Sequence, residues 1–305
     1  MPGLLLVIAL VCKAQMHSVI CLEEGQSFIM KSLFTIVREQ ISSFYLILRL
    51  SAFEMKSAHT NNYLGRLWEI LNPMIQLSIY WLVFGIGVRG GQKITMENGE
   101  QVPFFIWMVT GMILWFFVNP AISHSSKSIY SRIQLISKMS FPMSAIPSFV
   151  IMANFYTHLM LVAVVTVCLQ FTDFKLSVYY IQLPYFMLAT LIFLLALSLI
   201  TSTLSTIVRD VQQIVQSVLR MMLYLTPLLW HTDKLVLNGV NLTFLLKLNP
   251  LYYLVEGYRA SLLGTSWYIV ENAQYTLYFW ILILIMLLLG STLHLQFRNR
   301  FVDFL

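Results

Sequence analysis

Charge is what this sequence has least of. Only 10% of its 305 residues are Asp, Glu, Lys or Arg, against 58% hydrophobic. Ordinary soluble domains carry about 25% charged residues. A core for a chain of this size cannot absorb that much apolar surface, so much of it must face lipid, and an integral membrane protein follows. Cysteine is scarce too. Cys12, Cys21 and Cys168 have no metal-ligand spacing, so neither a disulfide nor a metal site is expected. The chain has no G-x-x-x-x-G-K-[ST] phosphate loop, which excludes ATP binding by that route, and no H-E-x-x-H or G-x-S-x-G. His59, His124, His158, His231 and His294 are dispersed, so no catalytic residues are assigned. The net charge of +6 is scattered between apolar runs, which reads as a membrane orientation signal and gives no nucleic-acid footprint. Asn241-Leu242-Thr243 is formally a glycosylation sequon and is assigned nothing.

What is present in quantity is membrane-length hydrophobic sequence. A spanning helix needs roughly 20 apolar residues. Five runs qualify: 102–122, 146–170, 181–207, 211–230 and 275–295. The run 74–88 is shorter and spans only if its helix begins earlier. Six spans put both termini on one side. With the N-terminus cytoplasmic, the inside segments hold Lys31, Arg38, Arg49, Lys56, Arg66, Lys127, Arg132, Lys138, Arg209, Arg298 and Arg300. The outside segments hold Arg89, Lys93, Lys175, Lys234, Lys247 and Arg259. The excess favours cytoplasmic termini.

The first 29 residues carry an apolar stretch, Leu4 to Cys12, with no basic residue before it, unlike a secretory signal. The expected division is therefore an upstream extension or signal-like segment, 1–29, and a membrane domain, 30–305. Leu33, Ile36, Val37, Ile41, Phe44, Tyr45 and Leu48 then recur at helical spacing, as in an amphipathic helix lying in the interface. In "GRLWEILNPMIQLSIYWLVFG", Arg66, Trp68 and Glu69 suit the wet and headgroup levels. Asn72 and Pro73 carry a helix-start signal. This is the elbow where the chain passes into the membrane. Ile129, Ile133 and Ile136 form a stripe beside Arg132 and Lys138, a short cytoplasmic helix ended by Pro142 and Pro147. Residues 231–270 are too polar to span and too apolar for a loop. Asn249-Pro250 repeats the start signal there, and short helices dipping into the outer leaflet are expected.

Two polar-aromatic stripes stand out. Gln212, Gln216, Arg220 and Tyr224 recur every fourth residue on one face, as do Asn72, Gln76, Tyr80 and Phe84. Intramembrane arginine faces protein or a water-filled cavity. The stripes read either as the lining of a hydrophilic pathway or as interhelical hydrogen-bond glue. A third option for Arg220 is snorkelling to the interface.

The elbow, "LISKMSFPMSAIP", "RDVQQIVQSVLRMMLYLTPLLW" and "LNPLYYLVEGYRASLLG" resemble, in order, the permeases of type-2 ABC polysaccharide exporters, over about residues 31–300. Within them the chain is most similar to wall teichoic acid exporter permeases of Gram-positive bacteria. O-antigen and capsule permeases share the same motifs. The resemblance implies an all-α integral membrane fold: six transmembrane helices, an interfacial gate helix at 31–55, a coupling helix at 127–139 and outer re-entrant helices. It implies partners as well: two copies of a separate ATPase, which binds ATP and Mg while this chain binds no cofactor, a second copy of the chain, membrane lipid, and a lipid-linked glycopolymer as substrate. Gln76, Tyr80, Phe84, Gln212, Gln216, Arg220 and Tyr224 would line the conduit. Tyr252, Tyr253, Glu256 and Arg259 would lie at its exit, with Arg220 and Arg259 facing phosphate. A drug exporter of the same class, and a membrane scaffold or lipid enzyme outside it, are the other readings.

Overall fold

The computed structural model describes residues 22–57, 63–88, 93–96, 99, 101–132, 142–230, 236–237, 240–241, 246–298 and 301. These are almost wholly helical. The first described helices are two amphipathic ones, α1 (Leu22–Ser42) and α2 (Phe44–Ser57). After a 3-10 turn at Gly65–Leu67 comes α3 (Trp68–Tyr80), continued by a π-helix at Trp81–Val88. A two-residue antiparallel pair, β1 (Ile94–Thr95) and β2 (Gln101–Val102), leads into α4 (Phe104–Ser126). Then follow α5 (Ala145–Leu169), α6 (Leu183–Ile207) and α7 (Asp210–Leu225). A second small pair, β3 (Val236–Leu237) and β4 (Val240–Asn241), precedes α8 (Pro250–Leu263), α9 (Tyr268–Glu271) and α10 (Ala273–Phe297).

Among the described residues, five helices are long and apolar enough to cross a membrane: Trp68–Val88, Phe104–Ser126, Ala145–Leu169, Val178–Ile207 and Ala273–Phe297. They coincide with five of the six expected spans, and the first gains its length by starting early. It runs unbroken through Asn72-Pro73, so that pair does not start the helix as expected. Pro73 sits inside α3, where it removes one backbone hydrogen bond and its ring crowds the carbonyl of Glu69, yet the helix continues through it. The expected span 211–230 behaves differently. Helix α7 ends at Leu225 after 16 residues, about 24 Å at 1.5 Å per residue, short of a hydrocarbon core of roughly 30 Å. Thr226 is extended and Pro227 follows, a residue that cannot rejoin the ladder.

The bundle has two distinct ends. At the first, α4, α6 and α10 finish and α5 begins, and α1 and α2 dock there. Glu39 of α1 receives Arg298 Nη1 at 2.7 Å and the Ser144 hydroxyl at 2.5 Å, while Gln40 donates to the Ser144 carbonyl at 2.9 Å. Ile47 packs with Ile129, Ala145, Ile146, Phe149 and Phe297 in a small separate core. Many other apolar side chains of α1 and α2, among them Phe34, Ile41, Phe44, Tyr45 and Phe53, remain exposed, as an interfacial position would require. The single helix expected over 31–55 is broken at Ser43, and α1 runs through Met30 without interruption.

At the second end, α8 inserts between α4 and α6. Asn249 caps it by accepting from the Leu251 N–H, with Pro250 in the first turn, as the Asn-Pro pair predicts. Gly264 ends it at φ 70°, the left-handed cap that glycine adopts without strain. All of α8 except Pro250 and Glu256 is buried. The start of α8 meets the start of α10, where the Tyr275 hydroxyl donates to the Asn249 carbonyl at 3.2 Å. Its end meets the 3-10 segment Val178–Gln182, which opens α6. Both ends of α8 thus belong to the same end of the bundle.

Candidate functional site

Helix α7 carries its polar row on two different surfaces. Residues four apart advance about 40° beyond a full turn, so a row of four winds around the helix. Its lower half faces α4: Gln212 receives the Ser126 hydroxyl and donates to the Ser123 carbonyl at 3.2 Å, and Gln216 donates to the Ser123 hydroxyl at 2.5 Å. Its upper half has wound outward. Arg220 is exposed and bonds only to Ser217, one turn away, at 3.3 Å among the described contacts, and Tyr224 is 60% exposed. The glutamines therefore join helices, while the arginine and tyrosine stand on an open face.

Helix α3 stands at the margin of the same face. Only 6% of its most apolar window is buried within the chain, against 67% for α4. Asn72 and Gln76 are exposed, whereas Tyr80 and Phe84 lean on the edge of the core. Tyr224 lies within electrostatic reach of Tyr80, so the two stripes approach each other at their aromatic residues. At the elbow, Arg66 lies in the 3-10 turn and Trp68 is half-buried. Glu69 departs from the expected wet position: its carboxylate accepts from the Thr157 hydroxyl at 2.7 Å and fastens α3 to α5.

At the first end, Ile129 is buried against α2 and α5. The Arg132 guanidinium is paired with Glu54 of α2 and lies 5.4 Å from the Phe149 ring centroid. Residues Ile133, Ile136 and Lys138 of the expected coupling helix lie outside the described residues.

The expected exit residues are interior. The Arg259 side chain is wholly buried. It pairs with Glu256 at 2.7 Å, donates to the Pro227 carbonyl at 2.8 Å and stacks 3.6 Å from the Trp107 ring centroid. A Cβ at Gly111 would come within 2.6 Å of its Nη2. Arg259 is thus not presented to an outside phosphate: it locks α8 onto α4 and onto the turn after α7. Tyr253 is fully buried, bonding to the Thr276 and Tyr185 hydroxyls at 2.9 and 3.1 Å, and Tyr252 is buried beside Tyr275. Burial, with the Glu256 carboxylate adding, holds the Tyr268 hydroxyl above the usual phenol range, so it stays protonated. The partners Gly111, Ser123, Ser126 and Thr157 escaped the sequence reading, and Trp107, an aromatic suited to an interfacial belt, is buried under Arg259 instead. Ser123 and Ser126, one turn apart in an apolar helix, are the pair a search for polar interhelical contacts would have found.

This arrangement joins a loosely attached first span, a polar amphipathic α7 and, following it in the chain, a short helix α8 buried between α4 and α6. A family profile, ABC-2 type transporter, matches residues 45–263, from α2 to the end of α8. The chain belongs to the ABC-2 type transporter family. This ABC-2 chain is 26% identical to an O-antigen export system permease protein RfbA of Myxococcus xanthus over 225 residues, 74% of the chain and 83% of the relative. It is 24% identical to an O-antigen export system permease protein RfbA of Klebsiella pneumoniae over 264 residues, 86% of the chain and 95% of the relative. All the candidate site residues of this ABC-2 chain fall inside the family match, whereas α1 and α10 lie outside it.

Proposed function

We propose that this chain is the transmembrane permease of an ATP-driven exporter that carries a lipid-linked polysaccharide of the O-antigen class across the cytoplasmic membrane. The observation that carries the reading is the match to O-antigen export permeases over 83% and 95% of their own lengths. It favours O-antigen over the wall teichoic acid expected from the motifs, since the curated relatives are named for the former. The ATPase is a separate subunit in two copies, paired with two copies of this chain. Residues 127–139 take its stroke, with Ile129 and Arg132 passing it to α2 through Glu54. In this reading α7 and residues 226–230 together complete a sixth pass, α8 is re-entrant from outside, and the first end of the bundle is cytoplasmic. The open face with Gln76, Tyr80, Phe84, Arg220 and Tyr224 borders the conduit.

The test is polymer translocation in proteoliposomes holding the chain with its ATPase. Arg220→Ala is expected to lower export per assembled complex, since the residue is exposed and, among the described residues, bonds only to Ser217 on its own helix. Arg220→Lys should retain part of it if the role is a point charge, and little if a planar guanidinium is needed. Normal transport by Arg220→Ala would remove the conduit assignment. Failure of any ATPase to co-purify would remove the exporter reading.

A further inference from the structure

A long apolar groove lies between α7 and α10, floored by α6. Its volume is about 850 Å³, and Ile214, Val218 and Leu225 of α7, Leu197 of α6, and Ile281 and Ile285 of α10 are among its walls. From Ile214 to Leu225 the wall runs about 16 Å at 1.5 Å per residue, close to half of a bilayer core of roughly 30 Å. The groove is therefore as deep as one leaflet. At the second end of the bundle it meets a further pocket of about 690 Å³, whose lining includes the polar residues Lys247, Glu271, Asn272 and Gln274. Leu248 and Tyr278 line both spaces. The Tyr278 hydroxyl donates to the Leu248 carbonyl at 3.0 Å, which fixes the shared rim.

We propose that this groove and pocket hold one aminophospholipid, with an acyl chain along α7 and α10, its phosphate at Lys247 and its ammonium at Glu271. The charges select the occupant. A purely anionic head would satisfy Lys247 and be repelled by Glu271. A choline head has no N–H to give a carboxylate. A primary ammonium beside a phosphate serves both residues with charge-assisted hydrogen bonds. The outer leaflet as its source rests on the orientation proposed above, but the headgroup chemistry does not.

The test uses the full complex with its ATPase in phosphatidylcholine nanodiscs. Each is doped with one photoactivatable probe bearing a diazirine at mid-chain: phosphatidylethanolamine, phosphatidylcholine or phosphatidylglycerol. Adducts are mapped to peptides. The ethanolamine probe is expected to label 214–225 and 278–286 about tenfold more than the choline probe, the size of one charge-assisted hydrogen bond. Glu271→Gln should bring ethanolamine labelling down to the choline level without lowering glycerol labelling. Lys247→Gln should lower both. Val218→Trp should fill the groove and suppress all three. Should that variant fail to assemble, the ratios at the exposed positions Lys247 and Glu271 decide alone. Equal labelling by the three heads, unmoved by either charge variant, overturns the proposal. So does a cysteine crosslink from Val218→Cys to a second copy of the chain, which would make the groove a protein interface. Polymer export by the same complexes is read separately, so loss of export with intact lipid capture counts against the proposed function alone.

Discussion

Arg259 offers the sharpest test of the packing. Replacing it with alanine removes three contacts at once: the 2.7 Å pair with Glu256, the 2.8 Å bond to the Pro227 carbonyl and the stack on Trp107. Breaking a buried ion pair from one side costs about 3–5 kcal/mol. The Glu256 side chain left behind is 22% exposed, so water relieves part of its charge, and Arg259→Ala should sit at the lower bound, near 3 kcal/mol. Glu256→Ala should cost at least as much, because the charge it strands is completely enclosed. Arg259→Lys should not rescue, since an ammonium cannot pair with Glu256, reach Pro227 and stack flat on Trp107 together. The double replacement Arg259→Met with Glu256→Leu should be milder than either alanine variant, because no unpaired charge remains. The assay is SDS titration of the purified chain in mixed micelles, with export per assembled complex in parallel. Wild-type stability in Arg259→Ala together with lost export would refute the lock and return Arg259 to the substrate path.

Asn249→Ala should cost about 1–2 kcal/mol, since it loses the cap on the Leu251 N–H as well as the 3.0 Å bond to the Thr226 hydroxyl. Asn249→Asp, which keeps the cap acceptor, should recover part of that in the same titration. Gln216→Ala and Gln212→Ala should each lower stability by about 1 kcal/mol with export per assembled complex unchanged, whereas Arg220→Ala should stay within about 0.5 kcal/mol of wild type. Gly257→Ala places a Cβ 2.1 Å from the Phe186 ring. It should destabilise by about 1–3 kcal/mol, and Phe186→Leu in the same chain should give part of this back, read as a shift in thermal unfolding.

The spanning helices were legible in the sequence because their cause is local. Twenty apolar residues in a row favour a lipid-length helix, and four of the five such runs carry one; the fifth run, 211–230, is cut at Leu225 by the Thr226-Pro227 break, while the short run 74–88 reaches spanning length by starting at Trp68. The α8 start was legible for the same reason: an asparagine caps the helix that follows it, and Pro250 is preset for its first turn. The same signal failed at Asn72-Pro73, because nothing local reveals that the helix has already begun at Trp68. The roles of the polar residues depended on partners far away in the chain. Gln216 meets Ser123 across 93 residues, and four-residue spacing alone could not divide a stripe into a half that binds α4 and a half that faces outward. In the sequence Arg259 reads as an outside cation on a short outer helix. Only the insertion of α8 against α4 sets it over Trp107 and buries its side chain wholly within the chain. Hydropathy reports what a segment must hide, whereas the tertiary contacts decide which neighbour hides it, and with that which charges are left free to act.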